Sequence, residues 1–264
     1  MTDALWPSSL LIVRHGESAG NVARDKAEAE GLPMIDIVDR DMDVPLSRLG
    51  ERQATALGQW IADLPSDEQP TVVYTSPYVR ARETASRALE AAGRRAEDEV
   101  TLVIDERLRE REFGVLDRLT RRGITERYPE QAAFRAHLGK FYHRPPGGES
   151  WADVILRLRS FIDTISRECR GERILVVSHQ VVVLMFRYIL EHLSEQEILA
   201  IDRDHDLANC SVTSYALEEG PGGHGQMALR LFNHVAPLEA AGEAVTTEPD
   251  VPVGAGGAGD AASR

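Results

Sequence analysis

Four short apolar runs divide the chain, and each stops abruptly at polar residues. Leu10 to Val13, Thr71 to Thr75, Thr101 to Ile104 and Arg173 to Ser178 have the length and aliphatic character of buried strands. The segments between them follow a helical period. Ser47 is a candidate N-cap, and Leu46, Leu49, Ala54, Leu57, Trp60 and Ile61 supply the apolar stripe of the helix it opens. Ser76-Pro77 opens another, with proline in a first-turn position where its missing N–H costs nothing. Residues from about Arg118 to Leu138 are helical in character but interrupted at Gly123 and Pro129. Arg144 to Gly148 breaks the chain, and Ser150 caps a helix reaching about Cys169. Glu149 beside that cap complements the positive end of the helix dipole. Val181 to Leu193 forms the helix after the fourth strand. Cys210 to Leu217 and Met227 to Phe232 alternate as strands of a hairpin, with the glycine-rich Glu218 to Gly225 as its turn. Strands alternating with helices predict an α/β sandwich whose active site lies beyond the strand carboxyl ends.

Two stretches lack this patterning. Arg24 to Val44 is polar, with Asp36, Asp39, Asp41 and Asp43 close together, and is expected to be a long loop carrying one helical turn. It lacks the alternation and terminal Glu of an EF-hand, so a lid near a pocket mouth is the better expectation. As a lid, its charge would disfavour polyanionic ligands at low salt and favour small monophosphates over bisphosphates. From about Leu238 the chain turns to Ala, Gly, Pro, Thr and acids without periodicity. Residues 1–237 are therefore expected to form one catalytic domain and 238–264 a disordered tail.

With 264 residues the chain can bury a sizeable core, and its net charge of −13 argues against a nucleic-acid binder. No stretch is apolar enough to cross a membrane, and the N-terminus lacks the features of a secretory signal. Cys169 and Cys210 are too few for a disulfide framework and are expected as buried free thiols, so a cytoplasmic location is expected.

The candidate chemistry lies where strands end. The first strand runs into Arg14-His15-Gly16: an arginine fork suited to phosphate oxygens, a histidine substantially neutral near pH 7, and a glycine that permits close backbone approach. The fourth ends the same way in Ser178-His179, on the same rim if the strands are parallel. The second leads into a helix carrying Arg80 and Arg82, which cannot both face one site. Arg80 is nearer the strand end and is favoured, while Arg82 is assigned to a solvated face. After the third strand, Glu110 or Glu112 could hold the proton that a leaving oxygen needs, and periodicity does not choose between them. Asp202-Arg203-Asp204-His205-Asp206 is expected as a polar loop, because its residues are not spaced to hold a metal.

In their order these pieces resemble the histidine phosphatase superfamily, branch 1, which includes the cofactor-dependent phosphoglycerate mutases. The likeness rests on Arg14-His15-Gly16-Glu17-Ser18 with Asn21, on Pro45-Leu46-Ser47 with Gly50 and Gln53-Ala54, and on Thr75-Ser76-Pro77 with Arg80-Ala81 and Thr84-Ala85. It continues through Leu108, Glu110, Phe113 and Gly114, Pro146 to Ser150, and Val177-Ser178-His179, spanning about Leu10 to Val235. The resemblance implies a three-layer α/β sandwich, phosphoglycerate mutase-like, with a mostly parallel mixed sheet between helices. It implies that His15 becomes a phosphohistidine, that Arg14, Arg80 and His179 surround the phosphoryl group with Asn21 beside them, and that Glu110 is the proton donor. A protonated His179 would help offset the phosphate charge. The second nitrogen of His15 should donate to a nearby acceptor such as a backbone carbonyl.

Gln180, Arg118 and the length of the Arg24–Val44 loop depart from the common pattern, and no counterpart is found for the paired arginines with which mutases hold a substrate carboxylate. Phe134-Arg135 is a poor stand-in. The preferred expectation is a metal-independent phosphomonoesterase acting on a small phosphorylated metabolite, with no cofactor and no nucleic-acid or membrane partner. A phosphoglycerate mutase-type phosphoryl transfer is the alternative, and a catalytically silent module binding phosphorylated partners comes third. Oligomeric state is left open, with a dimer among the states considered.

Overall fold

A computed structural model describes residues 6–94, 100–220 and 225–247. Its strands are β1 (Ser9–Arg14), β2 (Val72–Thr75), β3 (Thr101–Ile104), β4 (Arg173–Ser178), β5 (Val212–Glu219) and β6 (Gly225–His234). They form one sheet in the order β3-β2-β4-β1-β5-β6. The first four pair in parallel, and β5 and β6 are added antiparallel at the β1 edge. The helices are α1 (Ala19–Ala29), α2 (Arg48–Asp63), α3 (Val79–Ala91), α4 (Arg121–Arg127), α5 (Pro129–Tyr142), α6 (Trp151–Glu168), α7 (Gln180–Leu190), α8 (Glu195–Asp204) and α9 (Ala236–Ala240).

Strand alternation divides the core into two layers, because successive side chains leave opposite faces of the sheet. Leu10, Ile12, Ile174 and Val176 pack on one face with Leu158 and Phe161 of α6 and Val182 and Phe186 of α7. Val13, Val73, Leu175 and Val177 pack on the other with Leu57 and Ile61 of α2 and Ala81 and Ala85 of α3. The molecule is thus the expected three-layer α/β sandwich with a mixed, mostly parallel sheet.

Differences from expectation are local. Ser76-Pro77 precedes α3, whose N-cap is Tyr78, rather than lying in its first turn. The 118–138 segment splits at Pro129, while Gly123 is accommodated inside α4. The Arg24–Val44 segment contains the last two turns of α1 and a 3-10 turn at Asp41–Asp43. Residues 195–204, with no predicted helix, form α8; Ser194 and Glu197 make a reciprocal capping box that was present in the sequence as a signal.

The expected disordered tail is corrected over its first ten residues. Leu238 is fully buried in α9 against Leu46, Ala54 and Ala56. Gln53 Nε2 donates to the Ala244 carbonyl at 2.9 Å and to Thr246 Oγ1 at 3.1 Å. One large apolar side chain and a buried amide hold this segment, and neither produces a periodic pattern. Residues 248–264 lie outside the described residues, as do 221–224 of the expected hairpin turn.

Candidate active site

Parallel pairing makes three strand ends coincide. Arg14 is in register with Ser178, and Thr75 with Val177, so the residues that follow emerge together at one rim. His15 N–H donates to the Ser178 carbonyl at 2.9 Å and Ser76 N–H to the Val177 carbonyl at 3.0 Å, extending the pairing into the site. The turn after His15 lies hard against the start of α2: a Cβ on Gly50 would sit 1.9 Å from the Glu17 carbonyl oxygen, so only glycine fits there. Thr84 of α3 fastens the same turn, its Oγ1 accepting from Gly16 N–H at 3.0 Å.

His15 is 3 % exposed. Its Nδ1 donates to the Gly16 carbonyl at 2.7 Å, the expected kind of acceptor, and its Nε2 accepts from Arg80 Nε at 3.3 Å. Burial, then the charges of Arg80 and Arg14, hold its pKa well below the usual histidine value. A neutral imidazole with its proton on Nδ1 carries its lone pair on Nε2, which must leave the long Arg80 contact to attack an electrophile. Arg14 is buried, with Nη1 donating to the Leu207 carbonyl. Arg80 is buried beside it and Arg82 is exposed, as helix geometry predicts.

His179 is fully buried at the back of the site, its ring centroid 5.1 Å from that of His15 and 5.0 Å from that of Tyr78. Its Nε2 shares a 2.8 Å hydrogen bond with Ser76 Oγ, and its Nδ1 lies 3.7 Å from Glu110 Oε2. Burial first, then Arg80 and other neighbouring cations, push its pKa well below the usual value.

Glu110 rather than Glu112 faces the cavity. Its carboxyl is pushed up to about 7, chiefly by burial, against the opposing hydrogen bond from Arg111 N–H at 2.7 Å. Glu112 instead accepts from Tyr78 OH at 3.0 Å. The Glu110 segment is braced from the chain break before α6. Arg157 donates to the Glu110 carbonyl at 3.3 Å and pairs with Glu149 at 3.0 Å, while Arg109 pairs with Glu149 at 2.5 Å. Glu149 N–H also donates to the Glu112 carbonyl at 2.9 Å. Glu149 therefore anchors the acid-bearing segment, a larger role than the dipole complement read from the sequence.

A cavity of about 130 Å³ opens over these groups, lined by Arg14, His15, Asn21, Arg80 and Glu110 among others. It is small beside the roughly 300–1,000 Å³ of pockets that enclose drug-sized ligands. Asn21 lines it while also closing the α1 capping box, its Oδ1 accepting from Ser18 N–H at 2.8 Å. Three cations that the sequence reading did not assemble cluster beside it. Arg111 and Lys140 are on the wall, and Arg135 is close enough to depress both, with Asp202 pairing Lys140 at 2.5 Å. Burial and the neighbouring cations bring Lys140 down to about 8. Arg135 and Lys140 both lie on α5 while Asp202 comes from α8, so their meeting is tertiary and has no local signal. Among the described residues no group of three or more His, Cys, Asp or Glu side chains is arranged to hold a metal ion, and no helix is long and apolar enough to cross a membrane.

The family model for the histidine phosphatase superfamily, branch 1, matches residues 10–224. A 2,3-bisphosphoglycerate-dependent phosphoglycerate mutase 2 of Gloeobacter violaceus is 31% identical over 198 residues, 74% of this chain and 81% of its own. A Caenorhabditis elegans 6-phosphofructo-2-kinase/fructose-2,6-bisphosphatase is 31% identical over 81% of this chain but only 42% of its own length. Among solved structures, a mycobacterial glucosyl-3-phosphoglycerate phosphatase superposes with a TM-score of 0.64 at 23% identity, covering 86% of this chain and 99% of that one. The alpha-ribazole phosphatase of Shigella flexneri gives 0.65 at 19%, covering 86% and 97%. The chain belongs to the histidine phosphatase superfamily, branch 1.

Proposed function

We propose that this chain is a metal-independent phosphomonoesterase that works through a phosphohistidine on His15, with a small phosphorylated metabolite as substrate. The observation that carries the reading is His15 Nε2 set 3.3 Å from the buried Arg80 guanidinium at a cavity that Glu110 also lines, with burial lowering the His15 pKa and raising that of Glu110 to about 7. His15 Nε2 attacks phosphorus, the N–P bond forms, and the P–O bond to the ester oxygen breaks as Glu110 gives that oxygen its proton. Water then attacks phosphorus, Glu110 takes its proton, and the N–P bond breaks to release inorganic phosphate and free His15. Arg14 and Arg80 offset the charge on the non-bridging oxygens in both displacements. Burial and the neighbouring cations lower the His179 pKa, and a bound dianion beside it would favour its protonation.

A second reading is favoured by Arg111, Lys140 and Arg135: a substrate with a second anionic group, and with it the mutase-type transfer of the phosphoryl group to an acceptor. A catalytically silent module loses ground because Glu110 lines the cavity. The test is a panel of phosphate esters assayed with chelator present, for release of inorganic phosphate and for transfer, on the wild type and on His15→Ala. We expect release without transfer, unaffected by chelator, and lost in the variant together with an acid-labile phosphoenzyme. Activity surviving His15→Ala refutes the covalent route, and transfer exceeding release reverses the choice between phosphatase and mutase.

A further inference from the structure

The acidic segment expected as a lid reaches past the mouth of the cavity to the phosphate anchor itself. Asp41 opens the 3-10 turn Asp41–Asp43, and its backbone carbonyl accepts from Arg80 Nη1 at 2.5 Å. Its Oδ1 lies 3.0 Å from the same nitrogen, and its Oδ2 accepts from Nη2 at 3.2 Å. The Nε edge of Arg80 is turned to His15, so its Nη edge, the fork that fits two phosphate oxygens, is the part Asp41 holds. A phosphoryl group and the Asp41 side chain compete for the same donors. Arg80 is 6% exposed at its side chain and Asp41 40%, so the arginine is fixed in the wall and the aspartate is the partner able to leave. Asp41 ties residues 38–43 to the buried wall, and Val38 in the same segment is 92% exposed.

We propose that Asp41 is a specificity-determining residue of this site: its carboxylate occupies the Nη edge of Arg80 as an internal anion that a phosphoryl group must displace. The inference rests on the reading that phosphate binds between Arg14, Arg80 and His15. Displacement leaves the carboxylate tethered at the mouth with Asp39 and Asp117, which also line the cavity. An ester whose remaining part is neutral or rich in donors meets acceptors there. An ester carrying a second negative charge at that end meets like charge from Asp39 and the freed Asp41, with Arg24 and Arg118 beside them. Asp41 therefore acts twice against weak or doubly anionic ligands, first as competitor and then as neighbour.

The experiment is calorimetric titration of inorganic phosphate into the wild type, Asp41→Asn, Asp41→Ala and Asp43→Asn at low ionic strength. Both Asp41 variants should bind phosphate about tenfold tighter or more, because the like charge leaves in each, and Asp41→Ala removes the side-chain acceptor as well. Asp43 pairs with the exposed Arg40 in the same turn, so Asp43→Asn should change affinity by less than about twofold. Unchanged or weaker binding in the Asp41 variants overturns the proposal, as does an equal gain in Asp43→Asn, which would mark a diffuse field effect. Binding is read without turnover. If the affinities shift but no ester is hydrolysed, the phosphatase reading fails while this one stands. If phosphate binds to none of the four proteins, both fall.

Discussion

As the proposed acid, Glu110 would set catalysis against stability, and its raised pKa gives that conflict a size. Its carboxyl is pushed from 4.5 to about 7 by burial, with the charge of Asp41 adding to the rise. In the unfolded chain it titrates at its ordinary value. Between those two values the native protein keeps a proton that the unfolded chain releases, so stability falls as pH rises through that window. At 1.36 kcal/mol per unit, the full cost of ionising the buried carboxyl is about 3 kcal/mol, of which about 2.5 kcal/mol accrues between about pH 5 and pH 8. Glu110→Gln removes the titration and keeps an oxygen to accept from Arg111 N–H. Urea unfolding of both proteins across this range should show the variant gaining about 2.5 kcal/mol on the wild type by about pH 8. The same variant should lose roughly 10²–10⁴ in kcat on alkyl phosphates and much less on esters whose leaving group needs no proton. Wild-type kcat/KM on alkyl esters should fall above about pH 7. If the stabilities of the two proteins run parallel with pH, Glu110 is not held protonated by the fold, and its assignment as the acid is refuted.

Other substitutions probe the frame around this group. Glu149→Gln should cost about 3 kcal/mol in urea unfolding, because Arg109 and Arg157 are left near a weakened partner. It should also lower kcat with little change in KM, since it positions the acid-bearing segment without touching the ligand. Gly50→Ala forces a Cβ to within 1.9 Å of the Glu17 carbonyl and should cost about 3 kcal/mol by thermal or urea melting; a loss below about 0.5 kcal/mol would show that the His15 turn yields freely. Thr246→Val removes an acceptor from Gln53 and a donor to Asn209, whose Nδ2 donates to the His15 carbonyl at 3.0 Å. We expect a stability loss of about 1 kcal/mol with a reduced kcat, and an unchanged kcat would separate this segment from the nucleophile turn.

The parts of the site legible in the sequence are those that the sheet itself delivers. Arg14, His15 and His179 each follow an apolar run, and parallel strands in register need only end at the same level to bring such residues together. Arg80 was separable from Arg82 for a similarly local reason, because a helix turns 100° per residue and the neighbouring sheet selects one face. The choice of Glu110 over Glu112 came from resemblance, since an extended segment gives both the same face. Its physical basis is tertiary: Arg157 and Glu149 anchor the segment from α6, and burial then raises the carboxyl that points inward. What stayed illegible is of this second kind. Asp41 reads in the sequence as one of four acids in a loop, and its special position comes from an arginine 39 residues onward that is buried with its fork turned outward. Lys140 and Asp202 are separated by α6, β4 and α7, and neither carries a motif. On the proposed reading, the strand ends supply the groups that act on phosphorus, and the local pattern of the chain encodes them. The residues proposed to select the molecule bearing that phosphorus arrive on separate segments, and only the packing of those segments defines their charge, their exposure and their partners.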